Sequence, residues 1–248
     1  MVTPAYARPL RVMSLDQCAD QYVLALVPEA ELALSPRADD PDSWMRDAAF
    51  GRARIRPTLE AAVGFQPDVV VRYWGGEPRL LAALERRGAR IVTIQDATDL
   101  NQVQDVIRTV SEGLEQPGRG QAMIMRMDRR LDGIEPLSRG SALYLTAGGF
   151  TAGPGTLIGA ILGAAGYPNL ATSPGFSAVS VERIALFPPT RFVLGFFDQV
   201  RADWRGPGRH PVVRRAAQGR TAARLPAAAL SCPAWFAADA AAILADAR

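Results

Sequence analysis

One segment occurs twice in this chain. Thr58-Leu-Glu-Ala-Ala-Val-Gly-Phe-Gln-Pro67 runs into Asp-Val-Val-Val, and Ser180-Val-Glu-Arg-Ile-Ala-Leu-Phe-Pro-Pro189 runs into Thr-Arg-Phe-Val. Each copy reads as a hydroxyl N-cap, a short helix halted near a proline, and a buried strand. The third residue of each is a glutamate, Glu60 or Glu182, placed near the positive end of the helix macrodipole. A repeated helix–strand unit restricts the fold to two similar α/β lobes, each presenting one carboxylate at an equivalent place.

The rest of the chain has the same grammar. With 248 residues, 48% of them hydrophobic, it is long enough to fill two lobes of ordinary domain size. In the first lobe a strand at 10–13, a helix at 21–26, the repeat helix, a strand at 68–72, a helix at 78–87 and a strand at 90–94 alternate, the pattern of a parallel sheet with crossover helices. The polar stretch 35–57 is long for a structureless connection, which marks it as functional or mobile. Helical spacing returns at 99–115, is broken at Pro117 and Gly118, and resumes over 120–134. A helix of 15 to 20 residues spans about 22 to 30 Å, enough to bridge two small sheets. The second lobe follows with strands at 142–145 and 191–197, a strand ending near Leu230, and helices at 157–165, 212–218 and 234–245. The expected division is therefore a lobe over 8–117, a bridging helix over 118–137 and a lobe over 138–248.

Composition excludes several chemistries. The net charge is +3 and all 28 basic residues are arginine, whose planar fork of donors suits carboxylate or phosphate. Without lysine there is no P-loop, and no Gly-x-Gly-x-x-Gly follows the first strand. The glycines of 148–155 read instead as a tight turn that lets a ligand approach the backbone. A single histidine, His210, cannot build a His-cluster zinc site, and no serine sits in Gly-x-Ser-x-Gly. Arginines interleaved with acids argue against a nucleic-acid stripe. No apolar run is long enough to cross a membrane as a helix.

Pro4-Ala5-Tyr6-Ala7 before Arg8 has the small-x-small form of a signal-peptidase site, so residues 1–7 read as the stump of a secretory signal and the mature protein is placed outside the cytoplasm. There, Cys18 and Cys232 could form one disulfide; free half-buried thiols are the alternative.

Aromatic residues gather at the expected strand ends: Tyr73 and Trp74, Phe150, Phe196 and Phe197, Trp204, Trp235 and Phe236. Open parallel sheets bind ligands outside the carboxyl ends of their strands. Tyr73, Trp74, Phe150, Trp204 and Trp235, with Arg72 and Arg79 to complement charge, are the candidate walls of a site for a bulky, flat or partly anionic ligand. A competing class is an enzyme that uses Asp16, Asp20 or Asp96 as acid and base.

Ser14-Leu-Asp-Gln-Cys-Ala-Asp20, Leu59-Glu-Ala through Pro67-Asp-Val-Val, Gly88-Ala-Arg-Ile-Val, Thr151-Ala-Gly-Pro-Gly-Thr156, Ala165-Gly-Tyr-Pro-Asn169 and Ser180-Val-Glu182 resemble, in order and spacing, the periplasmic substrate-binding proteins of ABC importers for iron-siderophores, haem and vitamin B12. The resemblance covers nearly the whole chain from Arg8. It implies two α/β lobes with mostly parallel sheets joined by a single long helix, a ligand cleft between them, no catalysis and no resident cofactor. It also implies a monomer that hands a metal chelate to the permease dimer of an inner-membrane importer, with Glu60 and Glu182 docking onto permease arginines. A ferric siderophore is the leading cargo and cobalamin the next, the latter because B12-binding members carry a tryptophan before Gly-Gly, as at Trp74-Gly75-Gly76. Haem is the further alternative, for which Tyr73 or Tyr144 would be the iron ligand.

Overall fold

The computed structural model describes residues 8–199 and 205–247. The expected signal stump and Trp204 therefore lie outside the described residues. The chain divides into two compact units: one comprises the segment up to Ile94 together with Val110–Pro117, the other Gln95–Thr109 together with everything from Gly118 onward.

The N-terminal unit is a four-stranded parallel sheet in the order β2-β1-β3-β4, with β1 Arg11–Ser14, β2 Glu31–Ala33, β3 Val69–Arg72 and β4 Arg90–Thr93. Helices α1 (Gln17–Leu26), α3 (Leu59–Phe65) and α4 (Pro78–Glu85) make the crossovers. Val12 to Ser14 and Val69 to Val71 are buried on both faces, which is why these strands read as unbroken apolar runs. On one side Met13, Val70, Ala62, Phe65, Leu80 and Leu84 form a continuous core.

Two sequence expectations change here. Helix α1 begins at Gln17 rather than Gln21, because Asp16 caps it. The stretch 35–57 contains a short helix, α2 (Arg46–Ala49), and is pinned by polar side chains of α1. Gln17 Nε2 donates to Asp42 Oδ1 at 3.2 Å and to Ser43 Oγ at 2.9 Å, and Gln21 Oε1 accepts from the Met45 amide at 2.7 Å.

Pro117 starts a helix rather than only ending one: α5 (Leu100–Gly113) stops at Glu115, which takes a left-handed φ of 57°, and α6 (Pro117–Asp132) opens on the proline, whose missing N–H costs nothing in a first turn.

The C-terminal unit has a three-stranded parallel sheet in the order β5-β8-β9, from β5 Leu143–Thr146, β8 Phe192–Gly195 and β9 Thr221–Leu225. The last strand ends at Leu225, five residues before the expected end near Leu230, and a 3-10 turn follows over Ala227–Ala229. Helices α7 (Leu157–Ala164), α8 (Val181–Leu186), α9 (Pro211–Ala217) and α10 (Ala237–Asp246) complete the unit. Leu145, Phe192 and Leu194 meet Ile184 of α8 and Val213 and Ala217 of α9 in its core. A two-stranded antiparallel ribbon, β6 Phe150–Ala152 with β7 Phe176–Ala178 across the intervening α7, was not expected; its strands are too short to show a period.

Candidate functional site

In the N-terminal unit the loop after β3 carries Tyr73, Trp74, Gly75 and Gly76, and it is held by Asp16. Asp16 Oδ1 caps α1 by accepting from the Cys18 and Ala19 amides at 3.1 and 3.0 Å. Its Oδ2 accepts from the Tyr73 and Gly75 amides at 2.7 and 2.9 Å. One buried carboxylate thus satisfies both a helix start and the turn that displays Trp74. The close approach requires glycine: a Cβ on Gly75 would lie 2.5 Å from the Leu15 carbonyl oxygen. Arg72 is committed to the same turn, its Nε donating to the Gly75 carbonyl at 2.6 Å. Trp74 is left 60% exposed while Tyr73 is half-buried. Arg79 stands exposed in the first turn of α4.

Asp20 lies one turn into α1, buried. It accepts from the Ser14 hydroxyl, from the Ser35 hydroxyl at 2.5 Å and from the Ser35 amide at 2.9 Å. Burial pushes its carboxyl up to about 6, against the lowering effect of the hydroxyls and amide, and the neighbouring Asp16 adds to the rise. A pKa raised on folding contributes stability that is complete below the unfolded value of 3.8 and is lost as pH rises through 6. Asp20→Asn should therefore remove a fall in unfolding free energy, on the order of 3 kcal/mol, between pH 4 and pH 7. Urea melts at the two pH values that show the same fall in both proteins would contradict this origin. Asp96, the third carboxylate considered for catalysis, is exposed on the segment after β4.

The repeat helices have the caps their sequence predicts. Thr58 Oγ1 accepts from the Ala61 amide at 3.2 Å and Ser180 Oγ from the Arg183 amide at 3.1 Å. Glu60 and Glu182 are exposed in the first turns of α3 and α8. The Ser180 hydroxyl also donates to Glu182 Oε2 at 2.6 Å and holds that carboxyl below the usual range. Apolar neighbours are exposed beside both: Leu59 at 50%, Leu186 at 73% and Phe187 at 76%.

In the C-terminal unit Phe150 is half exposed at the start of β6, its amide donating to Thr146 Oγ1 at 3.0 Å. Pairing of Phe150 with Ala178 and of Ala152 with Phe176 puts both phenylalanines on one face of the two-stranded ribbon, where Phe176 is 66% exposed. Sequence reasoning missed Phe176. The glycines of 148–155 serve this geometry: Gly149 takes a φ of 82°, and a Cβ on Gly153 would collide with the Ser173 carbonyl oxygen at 1.9 Å. Asn169 braces the same loop by donating to the Ala152 carbonyl at 2.7 Å. Trp235 is half-buried just before α10 and packs edge-on to Phe236, ring centroids 5.2 Å apart. Tyr144 is fully buried in β5, where burial pushes its ionisation up, so it is a core residue rather than an iron ligand. His210 is exposed and caps α9 through Nδ1, which accepts from the Val212 amide at 3.3 Å.

Cys18 and Cys232 are both buried. Among the described residues no cluster of three or more His, Cys, Asp or Glu could hold a bare metal ion, and no helix is long and apolar enough to cross a membrane.

No protein-family model matches the chain, and no curated protein matches it. Solved structures do. A periplasmic haem-binding protein from Pseudomonas aeruginosa is 23% identical, with a TM-score of 0.63 over 97% of this chain and 94% of that one. A possible iron-binding, periplasmic solute-binding protein from Staphylococcus epidermidis is 15% identical, with a TM-score of 0.73 over 97% and 98%. The periplasmic vitamin B12 binding protein BtuF of Vibrio cholerae is 19% identical, with a TM-score of 0.59 over 96% and 95%. The chain has the α/β fold of these solute-binding proteins along almost its whole length.

Proposed function

We propose that the chain is a non-catalytic solute-binding protein of the periplasm that captures a metal chelate and delivers it to an inner-membrane ABC importer. The observation that carries this reading is the fold shared end to end with periplasmic binders of haem, iron and B12. Two of the three carboxylates considered for acid–base work are otherwise occupied: Asp16 accepts from four backbone amides and Asp20 is buried among hydroxyls. A chelate suits the aromatic side chain displayed at the end of β3, because Trp74 is 60% exposed and available to a bulky, partly apolar ligand. Glu60 and Glu182, exposed and flanked by apolar side chains, are assigned to docking on the permease dimer.

Tryptophan-quenching titrations with a ferric hydroxamate siderophore, cyanocobalamin and haemin test the cargo class. One of the three should bind with a micromolar or tighter Kd, and Trp74→Ala should weaken it by about tenfold, the loss of one aromatic contact of about 1.4 kcal/mol. Absence of binding by all three would overturn the reading; unchanged affinity in Trp74→Ala would remove that residue from the site.

A further inference from the structure

The C-terminal unit contains a cavity of about 880 Å³ that the cargo reading does not use. Its origin lies in the sheet. Side chains that are register partners share a face, so Phe192 of β8 lies beside Thr221 of β9, and Leu194 beside Arg224. Over β8 the helix layer meets Phe192 and Leu194 and closes on them as core. Over β9, the edge strand, it meets a threonine and an arginine, and the layer is left open there. The floor of the opening is apolar, formed by Leu194, Val213 and Ala217, all buried.

The rim is cationic. Arg209, Arg214, Arg215 and Arg224 line the cavity, and among the described residues no carboxylate does. Two of these guanidinium groups lie over the ring of Phe197, Arg209 at 5.1 Å and Arg224 at 5.9 Å from its centroid. The ring therefore packs against two cations at the mouth; Arg209 Nη2 is engaged by the Phe197 carbonyl at 2.7 Å, whereas Arg214, Arg215 and Arg224 are exposed. Asp198, which lines an adjoining smaller cavity, accepts from the Ala227 amide. The cavity runs from Phe197, past the carboxyl end of β8, down to Gln218, Gly219 and Thr221 at the amino end of β9. None of the described candidate cargo residues Arg72, Tyr73, Trp74, Arg79, Phe150 and Trp235 lines it, and from the carboxyl end of β8 it continues to the amino end of β9, away from where open parallel sheets place their principal ligand.

We infer that this cavity is a second binding site, for a small organic anion with a planar apolar body and an oxyanion head such as carboxylate, sulfonate or phosphate. The body would rest on the Leu194, Val213 and Ala217 floor beside Phe197. The head would take the forked donors of the arginine rim, which match an oxyanion with two parallel hydrogen bonds. The volume lies in the range of small-molecule pockets. The site is independent of which chelate the protein carries.

The test uses anilinonaphthalene sulfonate, which joins an aromatic body to an oxyanion and fluoresces in apolar surroundings. The folded protein should bind it saturably at one site, more weakly as salt is raised because the rim is solvent-exposed. The double variant Arg214→Gln, Arg224→Gln should lower the affinity by about tenfold or more, with an unchanged thermal melt. Gln218→Trp, an exposed change that fills the lower mouth, should block the dye independently of charge. Trp74→Ala should leave dye binding within about twofold, so failure of this site and failure of the cargo assignment appear in different variants. Dye binding that is absent, non-saturable, or equally tight in both cavity variants would overturn the proposal.

Discussion

With arginine in place of both Glu60 and Glu182, the protein should keep its affinity for the chelate yet support about one hundredth or less of wild-type import. Each reversal would set a like charge against a permease arginine, at a cost of several kcal/mol, and each 1.4 kcal/mol is tenfold in complex formation. The effect local to the helices is far smaller. A carboxylate at a helix N-terminus contributes about 0.3 to 1 kcal/mol, and both side chains are exposed, so the fold should survive the change. Uptake of the chelate by whole cells, measured beside its binding to purified protein, separates the two. Undiminished import would refute docking. Loss of import together with loss of binding would assign the glutamates to stability instead.

The second large effect falls on Asp16. Asp16→Ala should lower unfolding stability by about 3 kcal/mol or more, since it removes an N-cap, typically about 1 kcal/mol, and leaves further amides at the Trp74 turn without their acceptor, each at about 1 to 3 kcal/mol. That is a large share of the 5 to 15 kcal/mol typical of a folded protein. The same variant should release the loop that displays Trp74, so chelate affinity should fall even where the protein remains folded. Urea denaturation at neutral pH measures the first effect and quenching titration the second. A loss below about 1 kcal/mol would mean that water replaces the carboxylate, and the bridging role would be withdrawn.

Asp16 also shows where the sequence was legible and where it was not. The repeated Thr/Ser-x-Glu helices, their caps and the strands after them were readable because N-cap, proline and apolar run all lie within a dozen residues. That the sheets are parallel followed from the alternation of elements. Asp16 itself was visible only as a carboxylate available for acid–base work, because its partners Tyr73 and Gly75 lie far along the chain and are brought near by the pairing of β1 with β3. Arg72 was read only as a ligand contact, and its Nε bond to the Gly75 carbonyl was not legible because it depends on the turn's geometry. The stretch 35–57 looked structureless because what orders it, Gln17 and Gln21, sits on another element. Phe176 escaped notice because a three-residue strand carries no period; only its pairing with β6 shows that it shares a face with Phe150. The arginine rim over β9 was hidden for a similar reason: Arg224 and Arg209 are distant in sequence and meet only at Phe197.

The central claim, that this chain captures a metal chelate and does no chemistry on it, is tested most directly by stoichiometric capture and recovery. Purified protein is mixed with an equimolar ferric siderophore, cyanocobalamin or haemin, passed through a size-exclusion column, and the chelate is released by denaturant and identified by its visible spectrum and mass. The account predicts that one of the three elutes with the protein at one per chain and returns chemically unchanged. Elution of none, or recovery of an altered product, would contradict it.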